Sequence, residues 1–193
     1  MGRWQTNARG RLAQAAIELY GERGYDATAV AHIAERAGLT ERTFFRHYAD
    51  KREVLFTGAN ELQDRLVTSV RDAQLRTGPL DAVASALEAT GPFFDELGPF
   101  VRVRQQLIEA NPELHERELT KLAALAAALA GALRARGVSD PAAELTAEAG
   151  VAVFKVAFKR WVHADNDTTL TQTLRESFAE LRHVTTHHGP NPR

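Results

Sequence analysis

GYDATAVAHIAERAGLTERTFFRHYADKREVL, residues 24–55, reads as two short helices joined by a tight corner. Thr28 is a good N-cap for the first, which carries Val30, Ile33, Ala34 and Ala37 before Gly38 stops it. Gly38, Leu39 and Thr40 make the short, glycine-containing connection of a helix-turn-helix. Glycine permits positive φ, Leu39 can seal the corner, and Thr40 can cap the next helix. That helix, Glu41 to about Tyr48, divides its side chains. Phe44 and Tyr48 lie four apart and face inward, while Arg42, Thr43, Phe45, Arg46 and His47 project elsewhere.

An aromatic exposed among cations is a face suited to a DNA groove. Arg42 can donate bidentately to guanine, Thr43 and Phe45 can touch a thymine methyl, and His47 can reach a base or a phosphate. Asp50 and Glu53 have the D-x-x-E spacing of a capping box, which predicts a fourth helix from Lys51 to about Arg76, interrupted by Thr77, Gly78 and Pro79. Lys51 then sits in a first helical turn, where free N–H groups and the helix dipole favour a phosphate, so it is expected to clamp the DNA backbone. On spacing alone the corner also fits an ordinary helical hairpin in a bundle. Arg36 and Arg46 read as solvated charges or incidental phosphate neighbours, His32 as surface, and Tyr25 as core or a weak backbone contact.

Outward from this stretch, helical periodicity dominates, with no convincing period-2 strand and no fixed-length repeat. The expected fold class is all-α. A first helix runs from about Thr6 to Arg23, with Leu12, Ala16, Leu19 and Tyr20 on one face. Later helices are punctuated by Gly91-Pro92, by Gly98-Pro99, and by Asn111-Pro112 and Asp140-Pro141 in N-cap and N1 roles. A long alanine-rich helix ends at Gly137, Asp165 to Asp167 break the next, and Thr168 to about Thr185 forms the last. The expected domains are 1–50, a three-helix DNA-binding unit; 51–185, a helical effector-binding and dimerisation domain; and 186–193, a disordered tail.

Bulk properties narrow the function classes. The 193 residues suffice for a buried core without a staple, and the absence of cysteine removes disulfides, thiolate nucleophiles and cysteine-ligated metal centres. No run approaches the ~20 apolar residues of a membrane span, and MGRWQTNARGR lacks the apolar core of a signal peptide. A cytoplasmic protein is expected, nucleoid-associated when bound to DNA. Net charge is −1 overall, yet residues 1–56 hold nine cations against seven carboxylates. That excess matters only if the cations share a surface. His115, His163, His183, His187 and His188 have no credible metal partner set, and no phosphate loop or nucleophile motif is present. Neither an enzyme nor a cofactor is expected.

Residues 9–55 resemble the DNA-binding domain of the TetR family. The resemblance rests on A-A-x-E-L-[FY] (Ala15, Ala16, Glu18, Leu19, Tyr20), G-Y-x-x-T, I-A-x-x-A-G and T-x-x-T-F-F-x-H-Y-x-x-K. It implies a homodimer that binds a palindromic operator in double-stranded DNA, usually as a repressor released by a small effector. Position by position, it implies DNA contacts at Arg42, Thr43, Phe45, His47 and Lys51, with Thr28 and Ala29 at the phosphate-facing start of the second helix. Thr40 and Glu41 open the recognition helix beside them. Phe45 stands where the family commonly has tyrosine, which removes a phenolic hydrogen bond. Glu41 places a carboxylate near DNA, where it can accept from cytosine or simply favour the helix dipole.

The C-terminal region carries a large aromatic and aliphatic load, of which Phe93, Phe94, Phe100, Phe154 and Phe158 are candidate pocket residues. Any one of them also reads as plain core. Arg102 and Arg104 are candidates for an anionic head group. Residues 104–133 resemble actinobacterial TetR-like regulators that include mycofactocin-system repressors, some of which respond to acyl-CoA or fatty-acid-like ligands. A hydrophobic effector is therefore expected. The resemblance places dimerisation on the last two long helices, about 141–164 and 168–185, with Ala157, Trp161, Leu174, Phe178 and Leu181 as candidate contacts. The competing reading is a helical small-molecule carrier or enzyme that keeps a vestigial DNA-binding fold.

Overall fold

The computed structural model describes residues 7–164 and 168–186. These residues form an all-α protein: α1 (Ala8–Arg23), α2 (Val30–Arg36), α3 (Glu41–His47), a 3-10 turn (Glu53–Phe56), α4 (Ala59–Asp72), α5 (Pro79–Glu88), α6 (Gly91–Glu96), α7 (Gly98–Ala110), α8 (Pro112–Ala135), α9 (Asp140–His163) and α10 (Leu170–Thr186). There is no strand among the described residues, as the helical periodicity implied. None of their helices is long and apolar enough to cross a membrane.

The chain divides into two compact units. One comprises residues 1–61 with 99–121, the other 62–98 with 122–193. The boundary expected at residue 50 is not where the packing divides, because segment 99–121 belongs with the helix-turn-helix.

In the first unit, α1 supplies the floor. Asn7 accepts from the Gly10 N–H at 2.7 Å and so caps it, while Leu12, Ala16, Leu19 and Tyr20 are buried. Ile33 of α2, Phe44 of α3, Val54, Leu55 and Phe56 of the 3-10 turn, and Ile108 and Leu114 from the 99–121 segment complete one apolar cluster. Each large side chain taken wholly out of water there contributes about 1.5–3 kcal/mol. Phe100 packs against the same cluster, which corrects its placement beside the other candidate pocket phenylalanines.

Two local expectations fail for physical reasons. Thr28 does not cap α2; Ala29 occupies that position, and its N–H is received by His32 Nδ1 at 3.3 Å. His32 is thus a capping residue rather than a bystander. The continuous helix from Lys51 to Arg76 is also absent. Asp50 Oδ1 accepts from the N–H groups of Arg52 and Glu53, as a capping carboxylate should, but the turn it starts is the 3-10 segment. Gly58, at φ +84, lies in the left-handed region and breaks the chain before α4 begins.

In the second unit, α9 packs against α5 and α10. Val83 and Leu87 of α5 are buried in this unit, as are Ala147, Val151, Ala157, Phe158 and Trp161 of α9 and Leu170, Leu174 and Phe178 of α10. Four of the five candidate dimer contacts are therefore interior. Ala157, Leu174 and Phe178 are 0% exposed and Trp161 3%, so their own subunit already covers them; Leu181 is half-buried. Thr186, expected in the tail, belongs to α10; the rest of the expected tail, 187–193, and the expected break at 165–167 lie outside the described residues.

Candidate nucleic-acid interface

The corner between α2 and α3 is set by local backbone chemistry. Gly38 adopts φ +65, and its N–H and that of Leu39 return to the carbonyls of Glu35 and Ala34 at 2.9 and 2.8 Å. Thr40 Oγ1 then accepts from the Thr43 N–H at 3.2 Å, starting α3. One face of α3 is sealed. Phe44 is fully buried, and Tyr48 just beyond the helix donates to the Arg9 carbonyl at 2.9 Å and lies 2.7 Å from the Thr57 hydroxyl.

The opposite face is open. Glu41, Arg42, Phe45 and Arg46 are exposed, Phe45 to 55%. Its ring meets the buried Phe44 edge-on at 5.4 Å, which holds an apolar surface outward between two arginines. Thr43 is half-buried beside the cap. His47 is half-buried as well, and its Nε2 is enclosed without a hydrogen-bond partner among the described residues, so that nitrogen is not presented to a base.

Several arginines flanking α3 are held in ion pairs. Arg36 makes a two-point hydrogen bond to Glu22 at 2.9 and 2.8 Å and approaches Glu18 at 3.5 Å. That hydrogen bond holds the Glu22 carboxyl below its usual range. Arg9 pairs with Glu61 and Arg52 with Asp50. The Asp50 carboxyl, although burial alone would raise it, is held low by hydrogen bonds from Arg52 and the N–H groups behind it. Arg42 and Arg46 enter no ion pair among the described residues. They lie one turn apart, so two guanidinium groups share the open face of α3 with the exposed Glu41 carboxylate.

Two expected phosphate contacts are engaged within their own subunit in this structure. Thr28 is 1% exposed, and its hydroxyl donates to the carbonyls of Gly24 and Leu19 at 2.8 and 3.4 Å. Lys51 lies in a turn, not in a helix, and its ammonium is directed at the carbonyls of Tyr25, Thr28 and Asp26. Ala29 remains exposed at the head of α2.

The candidate effector residues fall into separate groups. In the second unit Phe93 and Phe94 of α6 meet Phe154 and Phe158 of α9: Phe94 lies 6.2 Å from Phe154 and 5.5 Å from Phe158, with Phe93 5.6 Å from Phe94. Trp161 extends the cluster at 5.7 Å from Phe158. In the first unit, Arg104 is engaged internally. It donates to the Leu55 carbonyl at 2.7 Å, reaches Glu118 at 3.4 Å, and lies over the Phe56 ring at 5.1 Å. It is therefore a structural cation rather than a head-group receptor. Arg102 is half-buried on the same helix.

Residues 12–57 match the model of bacterial regulatory proteins of the tetR family, and residues 77–186 match the MftR C-terminal domain. The HTH-type transcriptional regulator TcmR of Streptomyces glaucescens is 29% identical over 180 residues, which cover 88% of this chain and 80% of that protein. The fold is similar to that of Thermus thermophilus FadR in complex with lauroyl-CoA: TM-score 0.60, 22% identity, 96% of this chain and 99% of that one. It is also similar to FadR from Bacillus subtilis in complex with stearoyl-CoA: TM-score 0.62, 17% identity, 93% and 98% coverage. At such identities the likeness shows a shared fold. The open face of α3, with its unpaired arginines around Phe45, lies within the N-terminal match.

Proposed function

Because this chain belongs to the TetR family of bacterial regulatory proteins, we propose that it is a dimeric transcriptional repressor released from a palindromic operator by a small hydrophobic effector. The observation that carries this reading is the outward face of α3. Arg42 donates to guanine, Phe45 packs on a thymine methyl or sugar, Arg46 neutralises phosphate, and Glu41 accepts from a cytosine amino group. Thr40 and Thr43 begin the helix at the groove edge, and Ala29 lets the head of α2 approach the backbone closely.

The second subunit docks on the outer faces of α9 and α10. Since Ala157, Trp161, Leu174 and Phe178 serve their own core, the face left for a partner on α9 is Leu145, Ala149, Ala152 and Val156, at four-three-four spacing. Two recognition helices held about 34 Å apart, or a multiple of that, then enter successive major grooves. The effector site lies at Phe93, Phe94, Phe154 and Phe158, an aromatic lining suited to an acyl chain. The acyl-CoA ligands of the two structural neighbours support that chemical class.

Selection of duplexes from a random-sequence pool, followed by titration at several salt concentrations, tests the first part. The expected result is one palindromic sequence bound with steep salt dependence. Recovery of no enriched duplex sinks the regulator reading. Adding lauroyl-CoA or stearoyl-CoA should release the bound duplex; if neither does so nor raises the melting temperature, the effector class is wrong while the DNA-binding reading stands.

A further inference from the structure

We infer that α9 carries a charge code for pairing with a second copy of this chain: the two α9 helices pack antiparallel about a two-fold axis near Val151 and Ala152, and Glu148 of each subunit meets Lys155 of the other. The inference rests on the dimer reading given above and adds the orientation and register that it leaves open.

Leu145 and Val156 are 72% and 57% exposed, and Ala152 is exposed between them, so an apolar stripe runs along α9 without cover from its own subunit. Turned end for end against itself, the stripe matches. Leu145 meets Val156 and Ala149 meets Ala152, with large residues at each end and small ones between that let the helices approach. The charges beside the stripe obey the same symmetry. Glu144 and Glu148 stand in the first half of α9, Lys155 and Lys159 in the second, and all four are exposed. Spacings of seven and eleven residues, close to whole turns, put both lysines on the edge that Glu148 occupies. The pairs Glu144 with Lys159 and Glu148 with Lys155 are both centred between Val151 and Ala152, so an antiparallel copy sets each acid opposite a base. A parallel copy sets Glu148 against Glu148 and Lys155 against Lys155, which like charges oppose.

The acidic half of that edge is shaped for a lysine. Between α8 and α9 runs a groove of about 330 Å³, walled on α8 by Ala123, Ala126, Ala127 and Ala130 and rimmed on α9 by Glu144 and Glu148. Alanine walls admit the methylene stem of a lysine, while the carboxylates receive its ammonium at the rim. The subunit does not supply enough cation of its own. Arg134 pairs with Glu144 at 2.8 Å and with Asp140, so one guanidinium serves three carboxylates once Glu148 is included. Glu148, Lys155 and Lys159 enter no ion pair among the described residues. A second copy brings the missing cation to each groove and receives the same in return, as a two-fold interface requires.

Two single substitutions test the code, and neither removes an ion pair within the subunit. Lys155→Glu sets acid against acid at both symmetry-related contacts, and Glu148→Lys sets base against base. Each variant alone should dimerise with Kd raised about tenfold in low-salt sedimentation, the scale of two exposed ion pairs turned repulsive, with helical content unchanged and the effect shrinking as salt is added. Co-expressed with different affinity tags, the two variants should recover the wild-type Kd and assemble almost wholly as heterodimer, because every acid again faces a base. Wild-type Kd for each variant, with random pairing on co-expression, overturns the inference and leaves the dimer reading intact. Two weakened variants that fail to rescue one another overturn it as well, since the charges then act without meeting. A wild type that is monomeric at every concentration removes the dimer reading itself, and the inference falls with it.

Discussion

Arg104 donates through Nε to the main-chain carbonyl of Leu55 at 2.7 Å, across 49 residues of sequence. Around this bond the first unit assembles a small polar network. Glu118 pairs with Arg104, Glu53 pairs with Arg117 and with Lys121 at 3.2 Å, and Phe56 lies beneath the Arg104 guanidinium. Residues 53–56 are thereby fastened to α7 and to the first turns of α8. The DNA-binding helices consequently share one body with residues drawn from the middle of the chain.

Arg104 is enclosed enough that burial pulls its pKa below the usual arginine range, against the pull of Glu118. Deleting one member of such a pair leaves the other buried and uncompensated. Arg104→Met should therefore destabilise the first unit by about 3 kcal/mol, read by urea unfolding. Adding Glu118→Leu should recover part of the loss, because the orphaned carboxylate is gone. A single variant as stable as the wild type would show that the network carries no net energy.

All three tyrosines are expected to hold their protons to unusually high pH. Burial raises Tyr20 and Tyr48, and burial with the nearby Glu113 charge pushes Tyr25 up to about 12. A phenol whose folded pKa exceeds its unfolded value of 10.0 contributes stability that is complete below that pH and is lost as pH rises through the folded value. Native protein at pH 10 should show almost no phenolate absorbance, and phenolate should appear together with loss of helix between there and about pH 12. Substantial ionisation at pH 10 with the helical signal intact contradicts the packing described for these rings.

The parts of this molecule that sequence conveys are those fixed by neighbours along the chain. Gly38, the Thr40 cap and the Phe44–Tyr48 pair each act within one or two turns, so spacing alone located the corner and its buried face. The partners of Lys51 and Thr28 within the subunit are decided by tertiary approach, which spacing does not convey: carbonyls 23 to 26 residues away receive the Lys51 ammonium. Gly58 sits within an apolar-periodic stretch, yet its positive φ ends the turn. On α9 and α10 periodicity identified an apolar face without saying what covers it, and the cover proved to be the same subunit.

That correction can be tested directly. Val156 is 57% exposed on α9, one residue before the fully buried Ala157. Val156→Glu should convert the proposed dimer to a monomer in sedimentation while leaving the helical content of the subunit unchanged. Trp161→Ala should instead cost about 3–5 kcal/mol of stability through the cavity it leaves. Should Trp161→Ala dissociate the dimer without destabilising the subunit, the assignment of these faces is reversed.

Arg42, Phe45 and Arg46 share the open face of α3, and the proposed docking assigns them different demands on DNA. Arg42→Ala should weaken binding to the selected duplex by about 1–3 kcal/mol and relax preference at one base pair, because a bidentate donor to guanine is lost. Arg46→Ala should weaken all duplexes alike and lower the salt slope by about one unit per contact. Phe45→Ala should lose discrimination at a thymine position with the salt slope unchanged, and its half-exposed ring predicts little change in folding stability. Competition titrations against single-base variants, repeated at several salt concentrations, separate the three. If all three substitutions shift the slope and none alters base preference, α3 lies along the phosphates instead of in the groove.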